Sequence, residues 1–202
     1  IRGRVIPATY EKVTLVAKYK DNSETAGEAS IPKRKSPISR VYLRPDDCPP
    51  SAESLSAIME ADAILLGPGS LYTSVIPNLL IKEIPEAILR SKAIKVYICN
   101  VMTQAGETDG YTAFDHVNAI ITHTKPKLID YCIVNTAKIP EEYLAKYNQE
   151  NATAVIADIQ RLKEAGTEAI GADLISAENY VRHNPDKLAK LILNLIHASM
   201  AL

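Results

Sequence analysis

The chain has 202 residues, 47% of them hydrophobic, with 23 Lys and Arg against 24 Asp and Glu and a formal net charge of −1. That length suits a single domain, 1–202, with a substantial core. The balanced charge offers no basic field for nucleic acid and no polybasic membrane patch. No apolar run approaches the roughly 20 residues of a membrane span, and the start has none of the pattern of a signal peptide. Cys48, Cys99 and Cys132 are widely spaced, which gives neither metal-ligand spacing nor an even disulfide set and points to a reducing cytoplasm. Cys99 and Cys132 lie in apolar runs and are expected as buried thiols. The opening Ile1-Arg2-Gly3 carries no methionine and reads as the start of a fragment or a processed product.

Residues 1–46 read as a β-rich segment. Val13–Tyr19 alternates, Asp21-Asn22 offers a turn, and Thr25–Ile31 and Ile38–Leu43 are further strands. Ile31-Pro32-Lys33-Arg34-Lys35 is a short basic loop, read as a solvated turn. Pro45 to Pro50 marks a break, after which Ser51 caps a helix over Ala52–Glu60. Strands and helices then alternate. A strand at Ala63–Leu66 is followed by the turn Gly67-Pro68-Gly69-Ser70 and a helical stretch to about Leu80. Next come a helix over Pro85–Lys92 and a strand over Lys95–Met102. The helix over Thr112–His123 has Phe114, Val117, Ile120 and Ile121 at helical spacing. A third strand, Leu128–Val134, precedes a helix over Glu141–Asn151. Ala154–Ala157 is expected as the fourth strand, before a helix over Gln160–Ala165 that Gly166 ends. In the last helix Asn184 is the N-cap, Pro185 the first residue, and Leu188, Leu191, Ile192, Leu195 and Ile196 one apolar face. Repeated strand–helix units predict an α/β fold, a mostly parallel sheet with flanking helices.

Ligands of such sheets bind beyond the carboxyl ends of the strands. The first of these ends carries Gly67, Pro68, Gly69 and Ser70, then Tyr72 and Thr73. A strand stopping at a glycine turn before a helix aims free N–H groups at one point, where the helix dipole favours an anion, most simply a phosphate. The run is neither the P-loop pattern nor G-x-G-x-x-G, and a turn that needs glycines only for its shape explains it equally well. The second strand end carries Asn100 and a polar loop with Thr103, Gln104, Glu107, Thr108 and Asp109. Glu107 or Asp109 could hold a divalent cation beside a phosphate or accept from sugar hydroxyls. The same loop also reads as an ordinary cap of the Thr112 helix. Asn135-Thr136 and Asp158 stand at the third and fourth ends. His116 follows Asp115, but adjacent helical residues do not face each other, so it reads as a packing or surface histidine, and His123 and His183 as capping or surface residues. No residue is assigned a catalytic role. Tyr147 is suited to stacking or to packing, and Arg182 to a diphosphate or to solvent.

Gly67-Pro-Gly-Ser-Leu-Tyr-Thr-Ser-Val-Ile-Pro-Asn-Leu-Leu80 together with Lys95-Val-Tyr-Ile-Cys-Asn-Val-Met-Thr-Gln-Ala-Gly-Glu-Thr-Asp-Gly-Tyr111 closely resembles the YvcK-type gluconeogenesis factors, of the 2-phospho-L-lactate transferase superfamily. Ile1-Arg-Gly-Arg-Val-Ile-Pro7 and Val181-Arg-His-Asn184 are similar to that family as well. The resemblance implies a Rossmann-like fold in a cytoplasmic bacterial protein linked to gluconeogenic growth, cell shape and cell-wall precursor supply. It implies a UDP-N-acetylglucosamine ligand, with dinucleotides held by some relatives, and makes Tyr147 and Arg182 the nucleotide-sugar contacts. The Gly67–Ser74 turn and the Thr103–Tyr111 loop match its ligand-facing segments. A family member normally opens with a strand and a Gly-Gly-Gly-Thr-Gly turn, which has no counterpart in this sequence. A sheet without that unit would expose strand edges, so a partner chain or self-association into a homo-oligomer is expected. The alternative implied by the superfamily is a phospholactate transferase of deazaflavin biosynthesis, in which Mg²⁺ on Glu107 and Asp109 would hold a nucleotide diphosphate.

Overall fold

The structure, a computed structural model, describes residues 3–177 and 180–200; Ile1 and Arg2 of the opening segment lie outside them. Alternating apolar residues build β1 (Thr14–Tyr19), β2 (Glu24–Ala26) and β3 (Ile38–Arg44) into an antiparallel sheet in the order β2-β1-β3. Leu15, Ala17 and Tyr19 of β1 join Val41 and Leu43 of β3 in the main core. The expected strand Thr25–Ile31 is shorter. Only Glu24–Ala26 pairs, and the chain leaves the sheet at Gly27, which adopts a positive φ. Ile31 still reaches the core, and its carbonyl accepts the buried Tyr19 hydroxyl at 3.0 Å.

The second sheet is parallel, in the order β4 (Ala63–Leu66), β5 (Ile94–Ile98), β6 (Tyr131–Asn135) and β7 (Glu168–Ala172). Its two faces separate cleanly. Val96, Ile98 and Ile133 meet Leu188 and Ile192 of α7 (Pro185–Met200), the helix started by Asn184, whose side-chain oxygen accepts the Asp186 and Lys187 N–H groups. Tyr97, Cys99, Cys132 and Val134 face the main core, with Val117 and Ile120 of α4 (Ala113–His123) and Leu162 of α6 (Ile159–Glu164). Helices on both faces of a parallel sheet make this the expected Rossmann-like α/β fold. All three cysteines are buried free thiols.

The other helices connect these layers. Ser51 caps α1 (Ala52–Glu60), its hydroxyl accepting the Ser54 N–H at 3.1 Å. After the glycine turn, Leu71–Val75 winds as a wide π-type turn into the short α2 (Ile76–Leu79), and α3 (Ile84–Arg90) follows. Thr112 and Asp115 form a reciprocal capping box at the start of α4.

The fourth strand lies elsewhere than expected. Ala154–Ala157 contributes only a single antiparallel bridge, Met102 to Ala154, outside the sheet. It is held there because the Thr103 N–H donates to the Thr153 carbonyl at 2.7 Å and the Val155 N–H to the Val101 carbonyl at 3.0 Å. The sheet instead takes Glu168–Ala172, whose small residues suit a close approach: a Cβ on Gly171 would meet the Thr136 methyl at 2.7 Å. Asp158 accordingly begins α6 rather than ending a strand. It accepts the Phe114 N–H and pairs with Arg161. Beyond β7 the chain adds a hairpin, β8 (Ile175–Ala177) with β9 (Val181–His183). Val181 packs with Val101, Met102 and Ile139 in a third apolar cluster, joined by Tyr143, Leu144 and Tyr147 of α5 (Glu141–Gln149). This cluster fixes α5 and the hairpin beside the end of β5.

Candidate functional site

A cleft of about 780 Å³ opens at the carboxyl ends of β4 and β5, where the fold class predicts a ligand. One wall is the turn Pro68-Gly69-Ser70 and another the chain leaving β5, with Asn100 and Met102 followed by Gln104. Tyr147 of α5 and Tyr180 to His183 close it. Five expected site residues, Pro68, Gly69, Ser70, Asn100 and Tyr147, thus share one cavity with a sixth, Arg182. They come from four separated segments. Gly67 lies behind the wall and shapes it. Its φ is +83°, and a Cβ there would come within 3.3 Å of the Ile98 carbonyl oxygen, so the turn can lie against the end of β5 only as glycine.

Tyr72, Thr73, Thr103, Glu107, Thr108 and Asp109 do not line the cleft; Glu107 with Tyr72 and Thr73 joins its walls, and the others bond within or beside the second loop. Glu107 is buried, and its carboxylate accepts the Thr73 hydroxyl at 2.8 Å, the Gln104 amide at 2.9 Å and the Tyr72 N–H at 3.2 Å. The side chain therefore pins the Leu71–Val75 turn to the second loop. Burial pushes its pKa up, against the lowering effect of the Thr73 and Tyr72 hydrogen bonds. Thr108 is fully buried, its hydroxyl accepting the Gln104 N–H, while Asp109 accepts the Gly106 N–H. Thr103 joins its loop to Thr153. The Tyr72 hydroxyl meets that of Tyr111 at 2.7 Å.

The electrostatics of the cleft are simple. Arg182 is the one charged side chain among its described lining residues, and it makes no ion pair with a described residue. Its guanidinium lies 5.7 Å from the centre of the Tyr180 ring, and that ring meets Tyr147 edge-on at 6.5 Å. The Tyr147 hydroxyl donates to the Val181 carbonyl at 3.3 Å, and burial raises its pKa. Gln104 of the expected polar loop also lines the cleft, and Tyr180 and His183 line it without having been chosen from the sequence. The position of Tyr180 two residues before Arg182 was a usable signal for it; His183 gave none. The burial of His183 lowers its pKa, and its Nε2 has no hydrogen-bond partner among the described residues.

Two other histidines are structural, in line with the packing reading for His116 and the helix-end reading for His123. His123 receives the Val41 N–H on Nε2 at 3.0 Å and lies 2.7 Å from the Ala119 carbonyl through Nδ1, joining α4 to β3. His116 is fully buried, with Nδ1 on the Thr112 carbonyl at 2.8 Å.

A parallel α/β sheet with a glycine turn and an arginine at its carboxyl edge defines the class: a Rossmann-like protein with an anion-compatible cleft. Residues 1–175 match the profile of the family described as 2-phospho-L-lactate transferase CofD, and the chain belongs to that family, as a YvcK-type member. It is 44% identical to the gluconeogenesis factor of Bacillus subtilis over 97% of this chain and 62% of that protein. It is 46% identical to the gluconeogenesis factor of Halalkalibacterium halodurans over 96% of this chain and 60% of that one. A crystal structure of a protein from Bacillus halodurans superposes with a TM-score of 0.92 at 47% identity, covering 96% of this chain and 62% of the other. The chain thus spans about three fifths of the length of these relatives. No helix among the described residues is long and apolar enough to cross a membrane.

Proposed function

We propose that the chain is a ligand-binding regulator linked to gluconeogenic growth, cell shape and cell-wall precursor supply. Its cleft binds a nucleotide sugar of the UDP-N-acetylglucosamine type. The observation that carries this reading is the convergence of the Gly69-Ser70 turn, Asn100, Tyr147 and Arg182 on one cavity. The chemistry matches such a ligand part by part. Arg182 and the turn suit a diphosphate, Asn100 and Gln104 suit hydroxyls and amides, and the Tyr147–Tyr180 pair offers aromatic surface to a ring. The cleft falls within the several hundred Å³ common for small-molecule sites. The relatives named gluconeogenesis factor support the physiological link. Regulation follows if the ligand favours one conformation or partner state over another. A phospholactate transferase, the alternative offered by the family description, is less well supported. Glu107 and Asp109, its metal candidates, are outside the cleft.

Calorimetric titration with UDP-N-acetylglucosamine tests the reading. Saturable heat and a ligand-dependent rise in melting temperature are expected; neither at millimolar ligand would remove it. Product from activated phospholactate and a deazaflavin acceptor would favour the transferase.

A further inference from the structure

We infer that the cleft takes its diphosphate ligand as the bare anion, neutralised by Arg182 and by hydrogen-bond donors, with no divalent cation bridging protein and phosphate. This rests on the nucleotide-sugar reading and deepens it. A bridging Mg²⁺ requires oxygen ligands, ordinarily one or two carboxylates facing the phosphates. Glu107 and Asp109 have the sequence position for that role and the wrong geometry.

Both Glu107 oxygens are engaged inside the protein, by Thr73, Gln104 and the Tyr72 N–H, and the residue is 3% exposed. Turning it toward a cation would leave those buried donors unpaired. Asp109 is exposed and borders a separate hollow with Tyr72, Tyr111 and His123. Asp158 is held by the Phe114 N–H and Arg161. No carboxylate lines the cleft among the described residues, and none of these residues forms a cluster of His, Cys, Asp or Glu able to hold a metal ion. The donor set is the opposite of a cation site: a guanidinium, the Asn100 and Gln104 amides and the Ser70 hydroxyl. An arginine that faces a cleft without a carboxylate partner among the described residues supplies the counter-charge directly, and its planar fork suits two phosphate oxygens.

The test is paired calorimetric titration of the protein with UDP-N-acetylglucosamine, once with millimolar MgCl₂ and once with millimolar EDTA. The expected result is the same affinity in both, within about threefold, a difference below 1 kcal/mol. A larger loss in EDTA that Mg²⁺ restores overturns the inference and leaves the nucleotide-sugar reading standing. Absence of binding in both media overturns that reading itself, and the inference with it. Arg182→Lys adds an independent measure. It keeps the charge and loses the fork, so affinity should fall about tenfold or more equally in both media. A fall seen only without Mg²⁺ would mean that a cation normally shares the load and would overturn the inference.

Discussion

Glu107 occupies the place an external anion would take at the start of the Leu71–Val75 turn. Its carboxylate already receives the Tyr72 N–H, so a bound phosphate is left to the Gly69-Ser70 side of the turn and to Arg182. Glu107→Ala strands that buried N–H and the Thr73 hydroxyl. It should cost about 1–3 kcal/mol in urea unfolding, the range for unsatisfied buried groups. Stability within error of the unmodified chain would show that the clamp contributes nothing. Arg182→Ala should weaken nucleotide-sugar binding by about 1.5–3 kcal/mol with little change in melting temperature, because a charge-assisted hydrogen bond is lost at a half-open surface. Unchanged affinity would remove Arg182 from the site.

Between elements, Gly106 lies closely against the Pro32–Arg34 turn that follows β2. Gly106 has φ +82°, and a Cβ there would collide with the Pro32 carbonyl. The basic loop read from the sequence as a solvated turn therefore also supports the loop carrying Glu107. Gly106→Ala should destabilise by about 1–3 kcal/mol or more, combining backbone strain and overlap, and should raise protease sensitivity near residues 103–111. A variant as stable and resistant as the parent would refute the contact. Helices α1, α4 and α7 were legible because their caps and apolar faces are local signals; Ser51, Thr112 and Asn184 each cap as expected. Strand β7 was not legible. Glu-Ala-Ile-Gly-Ala has a single large β-branched residue and two small alanines beside a glycine, and the close approach of Gly171 to Thr136 appears only in the folded sheet.

Across the whole molecule, three histidines, His116 buried and His123 and His183 half-buried, make stability depend on pH. Burial lowers the pKa of His116, His123 and His183 below the ordinary 6.5. Below 6.5 the unfolded chain therefore binds more protons than the folded one. The stability from neutral burial is complete above that pH and is lost as pH falls through the depressed folded values. The urea midpoint should hold steady between about pH 7 and 8 and decline below about 6.5, over and above carboxylate effects. His123→Gln keeps an acceptor for the Val41 N–H without the titration and should remove part of that slope; an unchanged slope would exclude His123 from it. The parallel sheet leaves β4 at its edge, with Leu65 43% exposed, and an edge of that kind invites another strand. The sequence by itself determined the α/β class, most helices and the two strand-end segments, because periodicity, caps and glycine turns act within a few residues. Only the tertiary structure decided that Arg182 and Tyr147 share a cleft with the Gly69 turn while Glu107 and Asp109 lie outside it. Those positions depend on how α5 and the β8–β9 hairpin pack at the end of β5, which no local pattern encodes.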